Sequence, residues 1–316
     1  MSLTCPLIFL SLTLACSSGV GVQSNNSASA PATSPVATAD GKGSHRLRKQ
    51  IEQIAATARG RVGVAATVLE TGESISFNPD ERFPMQSVYK LPIGMAVLHQ
   101  VDAGKIDLAR RVRVEKSDFV GSAQRSPVRD KNPNGTELSV GQLLRFMVSE
   151  SDGTACDVLL KVLGGAGVVG TYLNGLGVTE VIVANTEKEI GRDWETQYRN
   201  WATPAGAIAL LRALHERRGL SAENRALLLK LMIESPTGAK RLKGLLPAGT
   251  IVAHKTGTSG NLKGVTAATN DIGLVTLPGG RQLAIAVFVA DSPADEATRE
   301  EVIARITRAI YDEMAR

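Results

Sequence analysis

The chain has 316 residues, 43% hydrophobic and 21% charged, with a formal net charge of +5. That composition supports a real core in one large or two modest domains and excludes wholesale disorder. With 4% aromatic residues, no basic run interleaved with aromatics, 3 cysteines without a C-x-x-C pair and 4 scattered histidines, nucleic-acid binding, zinc ribbons and dedicated metal sites are excluded.

The first elements are read as targeting. Pro6 to Ala15 is an apolar run far below the roughly 20 residues needed to span a bilayer, which suits a signal peptide over 1–16. Leu12-Thr13-Leu14-Ala15-Cys16-Ser17 resembles a bacterial lipoprotein processing site, with Cys16 as the lipidated residue. An ordinary signal peptide with an incidental Cys is the alternative, since Thr13 and the missing basic residue near Met1 depart from that pattern. Either route exports the protein, and the expected location is the periplasm, anchored if Cys16 is lipidated. Residues 17–45, rich in Ser, Ala, Asn and Gly, read as a flexible tether.

Leu47 to Arg59 is predicted as a helix, with Ile51, Ile54 and Ala55 on one face. Arg61 to Glu70 and Ser74 to Phe77 around Thr71-Gly72-Glu73 predict a hairpin. Residues 83–230 read as mostly helical, with loops at 118–137 and 185–203. Ile251 to Thr258, Ile272 to Leu277 and Leu283 to Ala290 read as strands, the last two joined by Pro278-Gly279-Gly280-Arg281. Ala294 to Met314 closes the chain as a helix. The expected architecture is an antiparallel sheet flanked by helices, α/β, built from 46–82 and 231–316, with an all-helical domain inserted over 83–230. The seam between them is where a cleft is expected. Gly165-Ala166-Gly167-Val168-Val169-Gly170 matches a dinucleotide fingerprint, but it follows a helical pattern, so a helix stop and turn is the better reading and no cofactor is expected.

Three short motifs carry the chemistry. In Ser87-Val88-Tyr89-Lys90 a hydroxyl and an amine three residues apart share a helix face. A helix start supplies free N–H groups and a positive dipole end, and a partly desolvated Lys can act as a base. S-x-x-K alone arises by chance on the order of once in a chain of this size. It is followed, however, by Ser151-Asp152-Gly153 in a loop and by Lys255-Thr256-Gly257-Thr258 on a strand. S-x-x-K, S-D-N and K-T-G in that order mark class A β-lactamases and penicillin-binding proteins.

On these motifs the sequence resembles the class A serine β-lactamases, from about Leu47 to the C-terminus. The likeness is densest at Phe83 to Lys90, Ser149 to Asp157, Glu187 to Trp201 and His254 to Gly260. It implies an Ω-loop over 185–201 whose first Glu, Glu187, activates the hydrolytic water. It further implies Ser87 as nucleophile, Lys90 or Glu187 as acylation base, and backbone N–H groups of Ser87 and Thr258 as the oxyanion hole. Ser151 would bridge Lys90 and Lys255 and hand a proton to the lactam nitrogen. Lys255, Thr256, Gly257 and Thr258 would bind the substrate, with the charge on Lys255 facing its carboxylate. The implied partners are small β-lactams, handled by a monomer without cofactor or metal. A penicillin-binding D,D-peptidase or a sensor that stays acylated is the alternative, and Glu187 argues against the first.

The pattern departs from the family at four places. Gly153 and Gly191 stand where Asn side chains usually meet substrate and deacylating water. Asn185 and Asn200 stand where an Arg–Asp pair usually clamps the Ω-loop, and an amide–amide bond is the expected substitute. These departures imply a broad-spectrum or cephalosporin-leaning branch. Asp152 is expected to hold its loop, Cys156 to be a buried small residue, and Trp194 and Trp201 to pack the Ω-loop.

Overall fold

The structure is a computed structural model in which residues 42–316 are described. The expected signal peptide, Cys16 and the tether as far as residue 41 lie outside them. Helix α1 (Lys42–Ala56) leads into β1 (Arg61–Val68) and β2 (Ser74–Phe77), an antiparallel hairpin whose turn uses Gly72 at φ 76°. Helix α1 stops short of Arg59 because that residue takes φ 52° to turn the chain into β1.

The middle of the chain supplies α2 (Lys90–Asp102), α3 (Val140–Val148), α4 (Gly153–Leu163), α5 (Ala166–Gly175), α6 (Pro204–His215) and α7 (Ala222–Ile233). Of the dinucleotide-like glycines only Gly165 lies at the break between α4 and α5, beside Gly164, with φ 106° and 94°; Gly167 and Gly170 lie inside α5, so the expected turn is confined to the first of them. Side chains cap several of these helices: Ser139 on α3, Asp152 on α4 and Thr203 on α6 each accept a backbone N–H of the first turn. The two-stranded antiparallel pairing of Arg111–Val114 with Thr136–Ser139 departs from the all-helical expectation for this stretch.

The chain then returns through β3 (Val252–Thr258), β4 (Val265–Thr276) and β5 (Gln282–Ser292) to the closing helix α8 (Glu296–Met314). The sheet is antiparallel in the order β2-β1-β5-β4-β3, with a short strand Asn261–Leu262 paired to β4. Strand β4 begins seven residues before the predicted Ile272, since Val265 to Asp271 is small and polar and shows no apolar alternation. Its polar side chains are partnered across the fold: Thr269 by Arg299, Asn270 through Nδ2 by the carbonyls of Pro84 and Met85, with its Oδ1 left without a partner among the described residues, and Asp271 by His254.

Both faces of the sheet are covered, and the two-residue period of β5 sorts its side chains between them. Leu283, Ile285, Val287 and Val289 pack with Ile51 of α1 and Ile303, Ile306 and Ile310 of α8. Ala284, Ala286, Phe288 and Ala290 join the core of the helical domain. The alanines let that domain sit close. Phe83 stacks on Phe288 with ring centroids 5.6 Å apart, and a Cβ on Gly63 would lie 2.3 Å from the Phe83 ring. This packing seats the segment that follows Phe83, which carries the chemistry.

Candidate active site

The Phe83–Pro84 strand pairs with Trp201–Ala202, and Asn270 Nδ2 donates to the Pro84 carbonyl at 2.8 Å. Gln86 turns the chain at φ 46°, and a 3₁₀ turn, Gln86–Tyr89, runs straight into α2. The turn stacks Ser87 under Lys90, whose Nζ donates to Ser87 Oγ at 2.8 Å. Strand β3 passes so close that a Cβ on Gly257 would lie 2.2 Å from the Met85 carbonyl oxygen. The glycine of the K-T-G motif is therefore a contact with the backbone that carries Ser87, and Gly257 does not line the cleft.

Lys90 Nζ also pairs with Glu187 Oε1 at 2.7 Å and donates to the Ser151 carbonyl at 2.9 Å. Burial pulls the Lys90 amine down, but the Glu187 charge and hydrogen bond, with smaller contributions from Cys156 and Asp152, together outweigh it and the net shift is upward. Burial pushes Glu187 up, and Lys90 overcomes that, holding the carboxyl below its usual range. The pair therefore rests ionised, and the group free to accept a proton is the carboxylate rather than the amine.

Ser151 sits at φ 60°, in the left-handed region that non-glycine residues seldom occupy, and accepts from Lys255 Nζ at 2.9 Å. The expected bridge between the two lysines thus uses two different atoms of Ser151, the hydroxyl for Lys255 and the main-chain carbonyl for Lys90. Lys255 is fully buried behind that hydroxyl rather than on the cleft wall; burial, helped by the nearby Lys90 charge, pushes its amine down to about 7. Strand alternation turns Lys255 and Gly257 inward and presents Thr256 and Thr258 to a cleft of about 660 Å³. Ser87, Lys90, Ser151 and Glu187 line the same cleft.

The cleft wall holds a cation that the sequence reading did not place. Arg241 is buried, donates to Thr258 Oγ1 at 2.8 Å and to the Gly257 and Asn270 carbonyls at 3.1 Å, and pairs with Glu300 at 3.0 Å. It comes from the irregular segment after α7, where no motif or periodicity announces it.

With this geometry in place, comparisons with known proteins are decisive. Residues 46–314 match the beta-lactamase enzyme family. The chain belongs to that family. The extended-spectrum beta-lactamase PER-1 of Pseudomonas aeruginosa is 43% identical over 265 residues, 84% of this chain and 86% of its own length. Beta-lactamase VEB-1 of the same organism is 40% identical over 268 residues, 84% of this chain and 89% of its own. The crystal structure of TLA-1, an extended-spectrum beta-lactamase, superposes with a TM-score of 0.84 at 40% identity, over 87% of this chain and all of that one (100%). The crystal structure of a beta-lactamase from Chitinophaga pinensis gives 0.83 at 46% identity, over 85% and 99%. The chain is a class A beta-lactamase.

In this beta-lactamase the Ω-loop is fastened by the Asn200 amide and the carboxylates of Asp157 and Glu189. The Asn200 side chain does not meet the Asn185 side chain. Its Oδ1 accepts from the main-chain N–H groups of Ala184 and Asn185 at 2.8 Å, and its Nδ2 donates to the Asn185 carbonyl at 2.9 Å. One amide so holds three backbone atoms, which a side-chain pair could not. Asp157 of α4 accepts from Glu187 N at 2.7 Å and Lys188 N at 3.0 Å. Burial, with the Glu187 charge adding to it, pushes its carboxyl up to about 6. Thr186 and Glu189 form a reciprocal cap that starts the Glu187–Ile190 turn.

Asp152 is buried and accepts from Val128 N at 2.6 Å and Ala155 N at 2.8 Å, tying the 118–137 segment to α4. Cys156 is a buried free thiol beside Tyr89. Trp201 lies under Arg82, 4.0 Å from the ring centroid, whereas Trp194 lines the cleft. His254 is buried against Asp271 at 2.8 Å, on the strand that carries Lys255.

Proposed function

We propose that this class A enzyme hydrolyses β-lactams through an ester on Ser87, freed by a water that Glu187 deprotonates. The observation that carries the reading is the unbroken line from Ser87 Oγ through Lys90 Nζ (2.8 Å) to Glu187 Oε1 (2.7 Å). Glu187 takes the Ser87 proton through a water or through Lys90 as Oγ attacks the lactam carbonyl. Backbone N–H groups of Ser87 and Thr258 receive the oxyanion. Ser151, polarised by Lys255, delivers a proton to the departing nitrogen. Thr256, Thr258 and Arg241 meet the substrate carboxylate, with Lys255 adding charge from behind Ser151. The substrate range is read as broad-spectrum or cephalosporin-leaning, and its similarity to the extended-spectrum beta-lactamases PER-1 and TLA-1 supports a wide range. Purified protein is expected to open nitrocefin over many turnovers at a steady rate. A single stoichiometric burst followed by silence would overturn the reading in favour of a penicillin sensor or a slow peptidase.

The Lys255 amine sets a pH dependence. It is charged below about pH 7 and loses its charge above. In the free enzyme kcat/KM for a carboxylate-bearing substrate is therefore expected to decline on the alkaline side, through a rise in KM. The unfolded chain keeps that proton to about pH 10, so between roughly 7 and 10 it binds more protons than the folded one. Thermal stability is expected to gain from this group as pH rises through that window. A kcat/KM flat from pH 6 to 9 would show that Lys255 does not titrate there.

Export to the periplasm and lipidation at Cys16 belong to the same reading, resting on leader composition. Cys16→Ala is expected to move the protein from the membrane to the soluble fraction of cells. Unchanged fractionation would remove the anchor.

A further inference from the structure

We propose that the side-chain amide of Gln124 positions the Glu187 carboxylate for deacylation, supplying from the 118–137 segment the polar contact that Gly153 and Gly191 cannot. The inference rests on the reading of Glu187 as the group that primes water. Gln124 Nε2 donates to Glu187 Oε2 at 3.1 Å and to the Glu187 carbonyl at 2.5 Å. Its Oε1 accepts from Gly121 N at 3.2 Å, and its own N–H donates to the Gly121 carbonyl at 3.0 Å. Acceptors on one side and a donor on the other fix which way the amide faces, and both ends of the residue are tied to one turn.

This leaves neither carboxylate oxygen free to swing. Oε1 is held by Lys90 at 2.7 Å and Oε2 by Gln124, so the plane of the group is set from two directions. A carboxylate oxygen has lone pairs left after one such bond and can still accept from a water.

The space around Gln124 fits the same role. A Cβ on Gly191 would lie 2.6 Å from Gln124 Oε1 and 3.0 Å from Cδ, so the amide occupies the room that a side chain at 191 would enter. A Cβ on Gly153 would lie 3.4 Å from Glu187 Cγ and 3.3 Å from both the Arg125 carbonyl and Val120 Cγ2. The segment before α3 has closed over both glycines and brought one amide in place of two. Gln124 lines the cleft beside Glu187 and Gly191.

A purely structural Gln124 would fasten the Ω-loop through the Glu187 carbonyl alone, and the two roles separate kinetically. Single-turnover quenched-flow mass spectrometry with nitrocefin gives acylation and deacylation rates separately, as gain and loss of the Ser87 adduct. Gln124→Met keeps the length of the side chain and removes its donor. It is expected to slow deacylation on the order of tenfold or more, the loss of one hydrogen bond to a charged group, with acylation within about twofold of the parent. Gln124→Ala is expected to do the same, and Gln124→Ala with Gly191→Asn to recover most of the lost rate, because the second change returns an amide to the vacated space. Gly191→Asn alone is expected to lower the melting temperature, since its side chain meets Gln124. A Gln124→Met enzyme that deacylates at the parent rate overturns the inference, as does a folded double variant no faster than Gln124→Ala. A parent that never clears its adduct would instead refute the function itself.

Discussion

Glu187→Gln is expected to form an acyl-enzyme that persists, visible in the intact mass as a substrate adduct on Ser87, while steady nitrocefin turnover falls on the order of a thousandfold. Gln matches Glu in size, its one carbonyl oxygen can still accept from Lys90 Nζ, and the main-chain bonds of residue 187 to Asp157 and Gln124 do not depend on the carboxylate, so the Ω-loop should hold its place although the amide loses the side-chain contact to Gln124. What it cannot do is accept a proton. In the parent, Lys90 keeps the carboxyl ionised despite its burial, and that stored basicity is lost in the amide. The variant also unpairs Lys90, whose amine then feels burial without the compensating charge and drifts down. Acylation can therefore continue with Lys90 as the base even as deacylation fails. Equal loss of both steps would show that Lys90 cannot stand in for Glu187 in acylation, and deacylation at the parent rate would remove Glu187 from the release of the ester.

Asp152→Ala is expected to produce the largest loss of stability. The carboxylate is fully buried and accepts from Val128 N at 2.6 Å, Ala155 N at 2.8 Å and Ser126 Oγ at 3.1 Å. Removing it strands two buried N–H groups and uncaps α4, which together cost about 3 kcal/mol or more. In a chain of this size that lowers the melting temperature by on the order of 10 °C, measurable by circular dichroism. Activity should fall with it, because the same bonds fix the segment that carries Gln124 and the turn that holds Ser151 at φ 60°. A shift of only a degree or two would show that other contacts hold these elements.

What the sequence made legible was local. Ser87 and Lys90 meet because three residues of a tight helical turn bring them together, and the strands of the sheet show in runs of Val, Ile and Ala around recognisable turns. The break at Gly164 and Gly165 was readable as a helix stop for the same reason. The rest depended on neighbours distant in the chain. The first half of β4 is polar, and only burial against Pro84, His254 and Arg299 makes a strand of it. Arg241 and Gln124 lie in irregular segments, and their positions follow from which elements those segments touch. The family resemblance points to Asn200, yet its partners are main-chain atoms, which residue types do not disclose.

The order of strands in the sheet bears on when the enzyme becomes competent. The floor under Ser87 is β3, joined to β1 only through β4 and β5, and β5 ends at Ser292. A nascent polypeptide that stops before β5 would own every group of the reaction centre except the partners that align them. Hydrolytic capacity should thus arrive abruptly, when β5 enters the sheet, and chains without that strand should be inert towards β-lactams.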